Sequence, residues 1–88
     1  MMNIALLGFG VVGKGAYDII AGREDMKVSR VLVRREIPEV AAISTADIND
    51  IVSDPSIDTV VEVMGGVHPA FEYIAAALRA GKNVVTAN

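Results

Sequence analysis

Apolar and polar positions alternate their period along this chain, and each change of period marks a change of element. Asn3–Leu7 is a short, nearly continuous apolar run, which predicts a strand buried on both faces of a parallel sheet. Val12, Ala16, Ile19 and Ile20 then recur at helical spacings and predict a helix over 11–21, with Gly22 as its stop. From Lys27 to Arg35, Val28, Arg30, Leu32 and Arg34 alternate with Ser29, Val31 and Val33, a β-branched pattern that predicts a second strand. Residues 36–45 stay open: Pro38 argues for a loop, while Val40–Ile43 suits a short strand or core filling. Ser44 or Thr45 is the expected cap of a short helix reaching about Ser53, with Asp47 in its first turn. Asp54–Asp58 has turn chemistry, and Thr59–Met64 reads as a third strand. Pro69 opens a further helix with Phe71, Ile74, Ala75 and Leu78 as its apolar stripe, and Gly81 closes it before the strand Asn83–Thr86. Strands alternating with helices predict an α/β fold of the Rossmann type: a doubly wound parallel sheet, here incomplete, with residues 1–88 forming one nucleotide-binding domain.

Composition narrows the classes. The chain has 88 residues, 52% of them hydrophobic, which permits a single small core. No apolar run approaches the roughly 18 residues that cross a bilayer, and the N-terminus lacks the pattern of a signal peptide. The absence of cysteine excludes disulfides and thiolate chemistry, and no metal-ligating constellation is present. A net charge of -3 with eight scattered basic residues argues against nucleic acid and membrane partners and for small molecules. A cytoplasmic location is expected. An uncovered apolar edge and face would invite self-association, so a homo-oligomer is expected.

The candidate chemistry lies between the first strand and the first helix, in Gly8-Phe9-Gly10-Val11-Val12-Gly13. Gly8 permits a tight turn, Gly10 leaves the backbone bare to a pyrophosphate, and Gly13 lets helix and strand pack closely. Free amides and the positive end of the helix dipole then favour phosphate. An ordinary glycine-bearing turn is the alternative; the flanking strand and helix favour dinucleotide binding. An NAD site places Asp or Glu about 20 residues beyond the glycines. Here the count reaches Arg34 and Arg35, whose guanidinium groups suit a 2′-phosphate and point to NADP, while the adjacent Glu36 keeps NAD as the alternative. Gly65-Gly66, at the carboxyl end of the third strand, suits either a cofactor-facing backbone or a plain turn. Glu62 amid valines must find a partner or a crevice, His68 reads as a surface or capping residue, and Lys14 as a phosphate neighbour or an exposed lysine.

Three stretches, "LLGFGVVGKG", "VEVMGGVHPA" and "ALRAGKNVVTAN", closely resemble the N-terminal nucleotide-binding part of homoserine dehydrogenase and together cover most of the chain. The resemblance implies an NAD(P)-dependent oxidoreductase that interconverts L-homoserine and L-aspartate 4-semialdehyde, on the route to threonine and methionine. It implies nucleotide contacts at Gly8 to Gly13, Arg34, Gly65 and Gly66, and adds Thr86, Ala87 and Asn88. It also implies that the chain stops one residue before a lysine near the nicotinamide, and that the catalytic lysine and acidic substrate-binding residues lie further on. No catalytic residue is therefore expected within these 88 residues, and the fragment alone is expected to be inactive. A free-standing NAD(P)-sensing module, or a related semialdehyde or imine reductase, are the alternatives.

Overall fold

The computed structural model describes residues 1–66 and 69–87. His68 and Asn88, both singled out above, lie outside the described residues. The first strand, β1 (Met2–Leu7), leads into α1 (Val11–Ala21) and returns as β2 (Met26–Leu32). A 3-10 segment over Pro38–Ile43 settles the open stretch and runs into a two-residue strand, β3 (Ser44–Thr45). Next come α2 (Asn49–Val52), β4 (Thr59–Glu62), α3 (Ala70–Arg79) and β5 (Asn83–Thr86).

Each strand pairing is parallel, in the order β3-β2-β1-β4-β5. The chain winds outward from β1 to β3 and then crosses back to place β4 on the other side of β1. That reversal is the topological switch point at which such sheets open a crevice beyond their carboxyl ends. Side chains of β1 divide by parity, as the pleat requires. Ile4 and Leu6 pack with Ile20 of α1 and with Val28 and Val31, whereas Ala5 and Leu7 pack with Ile51, Ile57, Val60 and Ala77 beneath α2 and α3.

Local details depart from the sequence reading in ways the packing explains. Strict alternation in β2 would send Val28 and Val31 to opposite faces, yet both lie in the layer under α1. Ile4 pairs with Val28 and Ala5 with Arg30, so Ser29 is an extra residue that shifts the parity by one. The second strand stops at Leu32, which leaves Arg34 and Arg35 in the following loop, and β4 stops at Glu62. Ser44 and Thr45 do not cap α2; they belong to β3, and Asp47 serves the helix start by accepting from the Asn49 amide at 2.9 Å. The stripe read on α3 is only partly inward: Ile74 and Ala75 are half-buried, but Phe71 is 63% and Leu78 58% exposed, while Ala70 and Ala77 are buried. Small side chains let the helix lie close to the sheet, where the larger stripe would not fit.

Candidate functional site

The site begins where β1 ends. The Gly8 amide still donates to the Leu32 carbonyl at 2.9 Å, so the strand keeps its partner up to the turn. Gly10 then precedes α1, and its carbonyl accepts from the Lys14 amide at 2.8 Å to close the first turn. A Cβ on Gly13 would stand 2.7 Å from the Gly8 carbonyl oxygen and 3.2 Å from a Val63 methyl, so α1 approaches the sheet only because that side chain is missing. A Cβ on Gly10 would meet nothing within 4 Å. The turn is thus closed beneath Gly13 and open above Gly10, with first-turn amides that have no partner inside the helix. This cradle fits a pyrophosphate.

A cavity of about 360 Å³ opens beside it. Gly8, Phe9 and Gly10 line it together with Val33, Arg34 and Arg35, and Ala46, Val63, Met64 and Tyr73 also contribute. The structure therefore brings the glycine turn and both arginines into one crevice at the carboxyl ends of β1 and β2. Both arginines are exposed, and among the described residues neither forms an ion pair. Glu36 is exposed and does not line the cavity. Phe9 is mostly buried, with its ring edge-on to Tyr17 at a centroid distance of 5.5 Å, so it serves the core as well as the crevice. Val11 and Val12 are exposed on the first turn of α1, outside the lining.

Lys14 has a defined place. Its Nζ lies 2.8 Å from Asp18 and 2.8 Å from Glu39, joining α1 to the 3-10 segment. The hydrogen bond to Asp18, and then that to Glu39, hold its ammonium above the ordinary lysine range. With two carboxylates on it, Lys14 does not line the cavity.

Beyond the switch point, β4 and β5 supply a second set. The Glu62 carboxylate is fully buried and accepts from the Met64 amide at 2.7 Å and from the Thr86 hydroxyl at 2.6 Å. Its carbonyl accepts from the Ala87 amide at 3.0 Å. Gly65 and Gly66 both have positive φ, +76° and +72°, and are exposed, which is why this turn carries a glycine pair. Thr86 closes β5 on the same side of the sheet. Lys82 sits at the opposite end, donating to the carbonyls of Asp54 and Ile57 at 2.8 and 2.9 Å. Gly65, Gly66 and Thr86 do not line the cavity, whereas Ala46, Met64 and Tyr73, which carry no chemical signature in the sequence, do. The sequence reading flagged Glu62 through its buried setting without finding either partner. Among the described residues there is no cluster of metal-ligating groups and no helix long and apolar enough to cross a membrane.

Comparison with known proteins gives a consistent result. The family profile described as homoserine dehydrogenase, NAD binding domain, matches residues 8–88. Homoserine dehydrogenase of Bacillus subtilis is 36% identical over 101 aligned positions, which take in 99% of this chain and 23% of that protein. The Lactococcus lactis enzyme is 39% identical over 103 positions, with 99% and 24% coverage. A crystal structure of Staphylococcus aureus homoserine dehydrogenase at pH 8.5 superposes with a TM-score of 0.86 at 36% identity, covering 99% of this chain and 25% of that one. The chain thus spans about a quarter of the length of the relatives it matches.

Proposed function

This chain belongs to the homoserine dehydrogenase family, of which it carries the NAD-binding domain, and from that premise we propose that it binds NADP in preference to NAD, as the cofactor-holding part of an enzyme acting on L-homoserine and L-aspartate 4-semialdehyde. The observation that carries the preference is the single crevice shared by the glycine turn and by Arg34 and Arg35. A guanidinium offers paired donors to a 2′-phosphate, and the carboxylate that would repel it, Glu36, is not part of the lining.

The residues divide the work by position. Gly8, Gly10 and Gly13, with the first turn of α1, hold the pyrophosphate by backbone amides and the helix dipole. Arg34 and Arg35 take the ribose phosphate, and the apolar lining from Val63, Met64 and Tyr73 keeps water from the crevice. Gly65, Gly66 and Thr86 face the nicotinamide side. When bound, the nicotinamide supplies the hydride that reduces an aldehyde carbon, or accepts one from the corresponding alcohol. An alkoxide developing in that transfer needs a cationic or acidic group beside it. Lys14 and Lys82 are engaged with other partners away from the Gly65–Gly66 turn. In this reading the 88 residues bind and orient the cofactor, the role that the match over residues 8–88 supports.

Titration of the chain with NADP and with NAD, followed by fluorescence or calorimetry, tests the reading. Tighter binding of NADP is expected, with no oxidation of homoserine. Equal affinities would remove the preference, and no binding of either would remove the function.

A further inference from the structure

Glu62 does more than end a strand. Its buried carboxylate takes the Met64 amide on one oxygen and the Thr86 hydroxyl on the other, while its backbone carbonyl takes the Ala87 amide. One residue thereby grips the chain at the point where it leaves β4 and again where it leaves β5. Burying a carboxylate is costly and is tolerated only when donors satisfy it, and an apolar side chain would pack in the same strand without that cost. What the carboxylate adds over an apolar residue is a fixed relation between two neighbouring loops.

We propose that Glu62 is a positioning residue that locks the Met64–Gly66 and Thr86–Ala87 segments together so that both meet the nicotinamide half of the dinucleotide. The inference rests on the nucleotide-binding reading above. Geometry assigns the half: Arg34 and Arg35 follow β2 on one side of β1, and the pyrophosphate cradle follows β1 itself. The strands β4 and β5 lie on the other side, so a dinucleotide laid across the switch point has its adenosine toward β2 and its nicotinamide toward β4 and β5. A Cβ at Gly65 or Gly66 would meet nothing within 4 Å, and the bond from Met64 to Glu62 anchors the start of this turn.

The test compares NADP with 2′-phospho-ADP-ribose, the same ligand without nicotinamide, by equilibrium titration of the chain and its variants. The ratio of the two affinities reads the nicotinamide half alone. Glu62→Met is expected to lower that ratio about tenfold, as loss of hydrogen bonds to a charged group would, while the affinity for 2′-phospho-ADP-ribose stays within about twofold. Glu62→Gln is expected to restore the ratio, because its amide can accept from Met64 and donate to the Thr86 oxygen. Thr86→Val breaks the same link from the β5 side, and the double variant Glu62→Met, Thr86→Val is expected to lose no more than the worse single change. An unchanged ratio in Glu62→Met, an equal loss of both ligands, or additive losses in the double variant overturns the proposal. So does a ratio near one in the unmodified chain. Should Glu62→Met fail to fold, Thr86→Val decides, and an unchanged ratio there is a refutation. If the unmodified chain binds neither ligand, the nucleotide reading itself falls, which is a distinct result.

Discussion

Arg34 and Arg35 stand in a loop just past the last paired residue of β2, where their charge is free to meet a ligand in the crevice. Arg34→Ala is expected to weaken NADP roughly ten- to hundredfold, the worth of a hydrogen bond to a charged group, and to leave NAD nearly unaffected. Parallel titrations check this, and equal losses for both nucleotides would remove the specificity argument. Asp54 contributes to acid sensitivity. The hydroxyl and amide of Ser56 donate to Asp54 at 2.7 and 2.9 Å and hold its carboxyl below the ordinary 3.8. A folded-state value below the unfolded one favours the anion in the fold. The contribution is therefore present above 3.8 and is lost as pH falls through the folded value. Asp54→Asn should be less stable than the parent at neutral pH and converge with it in acid, as chemical denaturation at several pH values would show. A gap that persists in strong acid would contradict the assignment. The positions of both arginines were legible from spacing alone, since the count from the glycines is local. The bond from Thr86 to Glu62 was not, because Thr86 lies 24 residues away and meets Glu62 only through the pairing of β4 with β5.

At the scale of an element, the β1–α1 turn separates stability from binding. Gly13→Ala forces a methyl to within 2.7 Å of a backbone oxygen, and overpacking of this kind costs about 1–3 kcal/mol. Gly10→Ala places its methyl in open space, so it should melt close to the parent while losing affinity for pyrophosphate-bearing ligands. Thermal melts and ADP-ribose titrations together distinguish the two, and a larger stability loss at Gly10 than at Gly13 would reverse the assignment. The elements themselves were largely readable. The bounds of α1 follow from its helical periodicity and its glycine flanks, and β4 from its β-branched run. The buried faces of the helices were harder to read. On α3, Ala70, Tyr73 and Ala77 share the helical spacing of Phe71, Ile74 and Leu78, and side-chain hydrophobicity favours the wrong stripe. In the fold, Ala70 and Ala77 are buried and Tyr73 packs against the core, while Phe71 and Leu78 are exposed.

For the molecule as a whole, the covering of the sheet is uneven. Phe71 and Leu78 lie outward on α3, and Val85 on the edge strand β5 is 56% exposed. Apolar surface of this kind favours association with a second copy. Sedimentation velocity over rising concentration is expected to show mass above that of a monomer, and Phe71→Ser with Leu78→Ser should reduce it; a monomer at all concentrations would overturn this. Apart from the 3-10 segment and β3, the order of strands and helices was determined by the sequence alone, as was the glycine turn, because each rests on local periodicity or on a short count along the chain. The tertiary structure decided the bulge at Ser29, the inward face of α3 and the bond from Thr86 to Glu62. Each depends on which residues, distant along the chain, come into contact across the sheet, and no periodicity within a single element carries that information.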